Sequence, residues 1–352
     1  MTPAAPRRIL VIRPDRIGDV TLATPAIRAL RETYPDAYLA ALVRPATEAV
    51  LRHNPRLDTV LLDDWEQTHA GRRGFLDRLR LLRRHRFDTA LMLLPTERHA
   101  WMTFLAGIPR RIGVGTKLYQ VMTFTRSVSR KKYIPLRHEA DYCLDLARAI
   151  GVKSNDLRTE AFLLEEERAL ARTRLHAAGR RAGRPLISVH PESGRSAPNW
   201  TLPMYRDFIT RAIADIPDAQ FLITHSPANT EARTIFEALR GERVLLPDAG
   251  DLRLLMGMIA EADVVVSAST GPMHLAAALG TPTVSLFCPL PACSPTLWGP
   301  QGNRAITLLP PEDYCQNRCP GDPHICTLEG GLGPREVIDA IHQLLPEARP
   351  SI

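Results

Sequence analysis

Short apolar runs recur along the chain and are separated by segments with helical periodicity. Such runs, flanked by Gly, Pro or charged residues, are typical of buried β-strands. The runs that predict strands are residues 9–12, 38–43, 58–62, 88–94, 112–114, 185–189, 220–224, 244–246, 263–267 and 282–287. Because helical segments lie between them, both halves predict an α/β fold with parallel sheets and right-handed crossovers.

The region between residues 152 and 184 predicts the division between two domains. It mixes polar loop with a charged helix and ends in the basic linker GRRAGRP. A chain of 352 residues also suits two cores better than one. We predict an N-terminal domain at 1–170, a C-terminal domain at 185–333 and a closing helix within 334–352. Two such domains facing each other would form a cleft between the carboxyl ends of their strands.

The stretch RPDRIGDVTLATPAIRAL, residues 13–30, joins the first predicted strand to the first helix. Gly18 provides a turn, and Pro25 predicts a kink or a restart of the helix. Asp19 stands where the helix begins, and a carboxylate there is stabilised by unpaired N–H groups. Asp19 therefore has two interpretations. It is either a helix cap or a general base at a strand-to-helix turn, where open α/β sheets place ligands.

A second group of polar residues follows the strand at 88–94. Residues 96–101 (TERHAW) predict a loop at the carboxyl end of that strand. Loops in that position carry ligand contacts. The candidates are Thr96, Glu97 and Arg98.

Two turns in the second half have the composition of phosphate sites. Ser269, Thr270 and Gly271 join a buried strand to a helix of small residues, so hydroxyls and backbone N–H groups meet at a helix N-terminus. An ordinary strand-to-helix turn is the alternative interpretation. His274, one turn into that helix, is either structural or functional.

The loop HPESGRSAPNW follows the strand at 185–189 and faces the same ligand in our prediction. Arg195 is suited to pair with phosphate oxygens. Trp200 is predicted to pack in the core. The phosphate candidates in this loop are Ser193, Gly194, Arg195 and Ser196.

A formal charge of +7 and a pI near 9.3 predict an acidic partner, either nucleotide phosphates or an anionic lipid surface. Nucleic acid is disfavoured, because no basic stripe with interleaved aromatic residues is present. The segment at 72–86 predicts a basic amphipathic helix, for which a solvated arginine face is favoured over a lipid contact. No transmembrane or secretory segment is predicted, so we expect the chain to stay in the cytoplasm.

Five of the six cysteines lie after residue 287, but their spacing matches no standard zinc pattern. Reduced thiols are the favoured interpretation. The alternative is a metal site, with ligands Cys315, Cys319, Cys326 and Cys288.

Three motifs carry a family resemblance: ILVIRPDRIGDVTLATPAIRAL, ISVHPESGRSAPNW with the following PMY, and ASTGPMHLAAALGTPTVSLF. With them the chain resembles glycosyltransferase family 9, the ADP-heptose:lipopolysaccharide heptosyltransferases, over residues 8–345. The resemblance implies the GT-B fold, two Rossmann-like domains facing across a cleft. The N-terminal domain would bind a lipid-linked saccharide acceptor, and the C-terminal domain the nucleotide-sugar donor. The enzyme would act as a peripheral protein on the anionic cytoplasmic surface of the inner membrane. The implied reaction is an inverting heptose transfer that needs no metal or other cofactor.

The family's catalytic base falls on Asp19 in this resemblance. Arg13, Arg16 and Gly18 of the same motif then belong to the acceptor side, together with Thr96, Glu97 and Arg98. The closing helix at 334–352 would follow the domain interface.

The sequence departs from the family pattern at two donor-side positions. Ser269 stands where many members have Asp, and Pro198 stands where many have Lys. These departures leave two alternatives open. One is a GT-B transferase with another nucleotide-sugar or a protein acceptor, and the other is a non-catalytic nucleotide-sugar binder.

Overall fold

The computed structural model describes residues 5–129, 134–194, 197–226 and 228–345, which form two compact units. The first unit extends to Phe162 and the second begins at Leu163. The boundary therefore precedes the end of the predicted 1–170 domain. The helix that begins at Glu165 belongs to the second unit, because Arg253 of that unit pairs with its Glu167.

The first unit contains a parallel six-stranded sheet in the order β3-β2-β1-β4-β5-β6. This is the Rossmann order, in which the chain starts at the centre and builds outward in both directions. Its strands are β1 (Arg8–Ile12), β2 (Tyr38–Val43), β3 (Thr59–Leu62), β4 (Thr89–Met92), β5 (Arg110–Val114) and β6 (Arg126–Val128). Its helices are α1 (Ile17–Thr21), α2 (Thr24–Thr33), α3 (Pro45–Leu51), α4 (Gly71–His85), α5 (Glu97–Leu105), α6 (Leu118–Met122) and α7 (Glu139–Arg148).

The second unit repeats this architecture with the sheet order β12-β11-β10-β7-β8-β9. Its strands are β7 (Leu186–His190), β8 (Gln220–Ile223), β9 (Val244–Leu245), β10 (Val264–Ala268), β11 (Thr283–Leu286) and β12 (Ala305–Leu308). Its helices are α8 (Glu165–Ala177), α9 (Leu202–Asp215), α10 (Thr230–Glu237), α11 (Leu252–Ala260), α12 (Gly271–Ala278), α13 (Pro295–Trp298), α14 (Tyr314–Asn317) and α15 (Pro334–Leu344). The α/β prediction with two Rossmann-like domains is confirmed for each unit.

Each sheet has a buried centre because its inner strands are continuous apolar runs. In the first unit β1 and β4 place Leu10, Ile12, Ala90 and Met92 in the core. In the second unit β7, β8 and β10 fill the core, and Trp200 packs there as predicted, 2% exposed, donating from Nε1 to Leu332 O.

Proline divides the first helical segment as predicted. Helix α1 ends at Thr21, and α2 restarts at Thr24 with Pro25 in its first turn. Proline suits that position because the first-turn N–H groups have no acceptor within the helix.

The closing helix is present as α15, which buries Val337, Ile338 and Ile341 in the core of the second unit. Residues 346–352 lie outside the described part of the chain. Within the described part, every helix is too short or too polar to cross a membrane.

Candidate active site

The predicted site residues follow the two central strands of each sheet. In the first unit these strands are β1 and β4, and in the second they are β7 and β10. The chain connections that follow these two parallel strands lead to opposite sides of the sheet. This divergence opens a crevice at the carboxyl ends of the two strands. The motifs at 13–19 and 96–98 lie at the first crevice, and those at 191–194 and 269–271 lie at the second.

Arg13 organises the turn after β1. Its side chain is buried, and its backbone N–H donates to Leu42 O, which extends the β1–β2 pairing by one residue. Arg13 Nε donates to Asp15 Oδ1 (2.9 Å), and Nη2 donates to Asp19 Oδ1 (2.7 Å). Both terminal nitrogens also lie 3.2 Å from Glu139 Oε1. One guanidinium thus joins three carboxylates.

These acidic groups raise the pKa of the Arg13 guanidinium. Burial alone would lower the pKa of the guanidinium, but Cys143 and the three carboxylates raise it well above its usual range. Asp15 shows the opposite balance. Burial of the Asp15 carboxyl raises its pKa, and repulsion from Asp19 adds to this rise. The attraction of Arg13 lowers the pKa by less, so the pKa of Asp15 is about 7.

Asp19 lies in the first turn of α1, where the helix dipole favours its negative charge. It does not cap the helix. Arg16 occupies the N-cap position, and no side chain caps α1. The Asp19 side chain is 18% exposed, and its Oδ2 has no hydrogen-bond partner among the described residues. One carboxylate oxygen is therefore held by Arg13, while the other is left without a hydrogen-bond partner in the described part of the chain.

The remaining residues of the first motif, Arg16 and Gly18, precede Asp19 at the start of α1. Arg16 is exposed at the start of α1, where its positive charge is available to a ligand. Gly18 lies within α1, between Arg16 and Asp19 in the chain.

The residues after β4 form a helix rather than the predicted loop. Thr96 is the N-cap of α5, and its hydroxyl accepts from His99 N–H (3.2 Å). Glu97 is in the first turn. Arg98 makes a bidentate ion pair with Asp63, donating from Nε (2.7 Å) and Nη2 (2.9 Å). The charge of Arg98 is therefore largely offset within the domain.

Asp63 and His99 are partners that the sequence motifs do not reveal. Asp63 is fully buried after β3, and His99 Nε2 donates to its Oδ2 (3.1 Å). Burial would raise the pKa of Asp63, but the hydrogen bonds from His99 and Arg98 hold it at about 2. This cluster joins the ends of β3 and β4 and orients the start of α5.

The loop after β7 contributes Ser193 to a pocket of the second unit, and the exposed Gly194 follows Ser193 in the chain. A pocket of about 560 Å³ is lined by Glu192, Ser193 and Asn199 from this loop and by residues of other segments, including Asn229. Arg195 and Ser196 lie outside the described residues.

His190 ends β7, and its Nδ1 lies 3.0 Å from Thr224 Oγ1. Desolvation lowers the pKa of His190 to about 4. His190 is therefore a neutral imidazole near pH 7, located at the carboxyl end of a central strand.

The turn after β10 has the geometry of an anion site. Thr270 is the N-cap of α12, Ser269 precedes it, and Gly271 and Pro272 start the helix. The first helical hydrogen bond is His274 N–H to Thr270 O, so the Gly271 N–H has no acceptor one turn earlier. Thr270 Oγ1 is buried without a hydrogen-bond partner among the described residues. A bound phosphate oxygen would satisfy both groups.

His274 is buried in the first turns of α12. Its position one turn after Thr270 places it on the helix whose N-terminus is the candidate anion site. The sequence predicted this location, and the role of His274 stays a prediction.

The late cysteines are free thiols. Cys288 and Cys293 pack beside Ala197, and Tyr314 Oη lies 3.7 Å from Cys326 Sγ. Among the residues that the structure describes, no three His, Cys, Asp or Glu side chains are arranged to hold a metal ion. The Cys315 thiol nevertheless lies close enough to Cys319, Cys288 and Cys326 to interact with them electrostatically, and the alternative metal site at these four cysteines stays a prediction.

The raised pKa of Asp15 predicts a pH-dependent stability. Between pH 4 and 7 the folded protein keeps a proton on Asp15 that the unfolded chain has released. Its stabilising contribution is complete below about pH 4 and is lost as the pH rises to about 7, with a slope of at most about 1.4 kcal/mol per pH unit. Urea unfolding at several pH values should show this fall in wild type and a flatter profile in Asp15→Asn. Parallel profiles would contradict it.

Two Rossmann-type sheets in one chain, each with polar groups at its central crevice, are the architecture of a two-domain α/β protein of the GT-B fold. The chain belongs to glycosyltransferase family 9, since the family model described as "Glycosyltransferase family 9 (heptosyltransferase)" matches residues 77–320, more than half of the chain. The predicted family is confirmed. The match begins after Asp19.

Relatives and solved structures agree with this assignment. Lipopolysaccharide heptosyltransferase 2 of Salmonella typhimurium is 26% identical over 367 residues, covering 97% of this chain and 99% of that protein. The glycosyl transferase family 9 structure from Veillonella parvula has a TM-score of 0.78 at 20% identity, covering 96% of this chain and 97% of that one. E. coli ADP-heptose lps heptosyltransferase II has a TM-score of 0.72 at 21% identity, covering 96% and 98%. These likenesses confirm the fold.

Proposed function

We propose that this enzyme transfers a heptose from ADP-heptose to an inner-core acceptor of lipopolysaccharide, with inversion and without a metal ion. The observation that carries the proposal is the Asp19 carboxylate after β1, with one oxygen held by Arg13 and the other open. The name of the Salmonella relative, a lipopolysaccharide heptosyltransferase, and that of the E. coli structure, which includes ADP-heptose, support the substrate assignment.

Asp19 is the general base in this mechanism. Its open oxygen takes the proton from the acceptor hydroxyl as that oxygen attacks the anomeric carbon. The bond between the anomeric carbon and the ADP phosphate breaks in the same displacement, which inverts the configuration. The products are the glycosylated acceptor, ADP and a protonated Asp19, which then returns its proton to water.

The turn after β10 stabilises the leaving group. Negative charge grows on the ADP phosphate as the glycosidic bond breaks, and the Thr270 hydroxyl and the N–H groups that begin α12 offset it. In this proposal Ser193, Gly194, Arg195, Ser196, Ser269 and His274 contribute to donor binding.

The acceptor is a lipid-linked saccharide at the cytoplasmic face of the inner membrane. We assign it to the first unit, in which Arg16 is exposed beside Asp19 and Thr96, Glu97 and Arg98 begin the neighbouring α5. The net charge of +7 favours a partner that bears phosphate groups.

A second candidate is a family 9 transferase that uses another donor. Ser269 favours it, because this neutral side chain precedes the N-cap of α12 where many family members have Asp. A different side chain there changes the contacts with the sugar or with its phosphates.

Donor screening by calorimetry separates these candidates. We expect ADP-heptose to bind more tightly than UDP-, GDP- or dTDP-sugars and to support transfer to a lipid-free inner-core saccharide, detected by mass spectrometry. A clear preference for another nucleotide-sugar would replace the heptosyltransferase assignment with the second candidate. Binding of ADP-heptose without transfer to any core acceptor would indicate a non-catalytic binder.

A further inference from the structure

The short helix α6 and the turn that follows it expose large apolar side chains. Leu118 and Phe124 are 76% and 77% exposed, and Val121 and Met122 are more than half exposed. We call these four residues the apolar ridge. A single exposed hydrophobic residue is ordinary, whereas four within seven positions form a patch that marks an interaction surface.

The orientation of α6 is the reverse of that expected for a surface helix. Its polar Gln120 and the following Thr123 are buried, and Tyr119 Oη donates to Pro95 O (2.7 Å). Gln120 Oε1 accepts from Lys117 N–H (2.9 Å), which fixes the start of the helix. Hydrogen bonds therefore hold the polar side inward and leave the apolar ridge in contact with solvent.

Phe124 is held in an unfavourable backbone conformation. Its φ of +50° lies in the left-handed region, which is uncommon for a bulky residue without a local hydrogen-bonding side chain. Its N–H donates to Val121 O (3.0 Å), which closes the turn. A strained turn that presents an aromatic ring to solvent is typical of a functional position.

The apolar ridge continues into a groove between α4 and α5. The Phe124 ring lies 6.1 Å from that of Phe104, which lies 6.0 Å from that of Trp101. Trp101 lines a groove of about 710 Å³ together with Phe75 and Leu76. The groove also contains Glu97 and Arg98, but most of its lining is apolar.

Cationic side chains border this apolar surface. Arg72 and Arg73 are exposed at the start of α4, Lys117 is exposed directly before α6, and Arg126 is exposed directly after the turn. Arg83 donates to Leu105 O at the far end of the groove. An apolar centre with a basic border is complementary to anionic lipid, whose headgroups are negative and whose chains are apolar.

We propose that the apolar ridge docks this enzyme on an anionic bilayer, with its four side chains in the headgroup–acyl boundary and the basic border on lipid phosphates. The proposal deepens the proposed function, because a lipid-linked acceptor is presented at such a surface. A second copy of the chain fits this surface less well. A symmetric dimer through the ridge would bring the two basic borders together, and like charges oppose that contact.

Vesicle co-sedimentation of the full chain tests the proposal. We expect wild type to bind phosphatidylcholine vesicles that contain phosphatidylglycerol and to bind pure phosphatidylcholine weakly. In the variant Leu118→Ser/Val121→Ser/Met122→Ser/Phe124→Ser, the partition coefficient onto vesicles should fall at least about tenfold, because apolar area no longer enters the interface.

A second variant tests the basic border. Arg72→Glu/Arg73→Glu/Lys117→Glu should lose the preference for anionic over neutral vesicles. The control Leu170→Ser/Ile325→Ser removes exposed apolar residues of the second unit and should bind like wild type.

Transfer to a lipid-free core saccharide separates this proposal from the proposed function. The ridge variant should retain that transfer, which also shows that it is folded. Failure of transfer in wild type would overturn the proposed function and leave the vesicle result intact. Equal vesicle binding by wild type and the ridge variant would overturn the docking proposal. So would a dimer in sedimentation velocity that the ridge variant abolishes, since the ridge would then contact a second copy.

Discussion

Asp19→Asn is expected to lower heptose transfer by a factor of about 10²–10⁴, because an amide cannot accept the proton of the acceptor hydroxyl. The substitution keeps the size and shape of the side chain. Its amide oxygen can still accept from Arg13 Nη2, which now lies 2.7 Å from Asp19 Oδ1. The loss should therefore appear in kcat, measured with a lipid-free saccharide acceptor at saturating donor.

Donor affinity distinguishes a chemical role from a structural one. Calorimetry should give the same affinity for ADP-heptose in Asp19→Asn and wild type, because the proposed donor site is in the second unit. The matched control is Asp207→Asn, which changes an exposed carboxylate on α9 that pairs with Arg211. Its kcat should equal that of wild type. Near-normal transfer by Asp19→Asn would remove Asp19 from the role of base.

Arg13→Met is expected to lower the free energy of unfolding by about 3–5 kcal/mol, the range for breaking a buried ion pair on one side. Methionine fills much of the same space but provides no positive charge. Asp15, Asp19 and Glu139 then face one another without the guanidinium that they share, and the Glu139 side chain is only 1% exposed. Urea unfolding followed by circular dichroism measures the change.

Two further variants connect this loss to the charge cluster. Arg211→Met removes an exposed arginine that pairs with Asp207 and should cost about 0–1 kcal/mol. The double variant Arg13→Met/Glu139→Gln should recover part of the loss, because it removes one of the carboxylates left without Arg13. Equal costs for Arg13→Met and Arg211→Met would show that the cluster contributes little to stability. If Arg13→Met does not fold, Arg13→Lys retains the charge and should give an intermediate loss.

The central strands were predictable because each is a continuous apolar run, and a strand buried on both faces needs no information beyond its own residues. The edge strands β6 and β12 were not predicted, since their residues are half exposed and include polar side chains. Helix α5 was predicted as a loop. The start of this helix is polar because Thr96 caps it and because Arg98 and His99 form hydrogen bonds with Asp63. Asp63 lies more than 30 residues earlier in the chain.

The sequence by itself determined the fold class, the family and the placement of Asp19 in the first turn of a helix after a central strand. These features depend on local patterns, because strand burial, helix starts and glycine turns are set by residues within one or two turns of each other. It also placed the Thr270–Gly271 turn at the start of a helix, which the structure shows as α12, and phosphate binding at this turn stays a prediction.

Only the tertiary structure decided which groups share the charge of Arg13. Glu139 is 126 residues from Arg13 in the chain, and it meets the guanidinium because α7 packs beside α2 and β4 in the first unit. Tertiary structure also decided that the apolar residues of α6 face outward, since buried Gln120 and Thr123 occupy the inner side. Local periodicity cannot supply either result. Buried charge pairing and surface exposure depend on which elements pack together, and that is set by the whole domain.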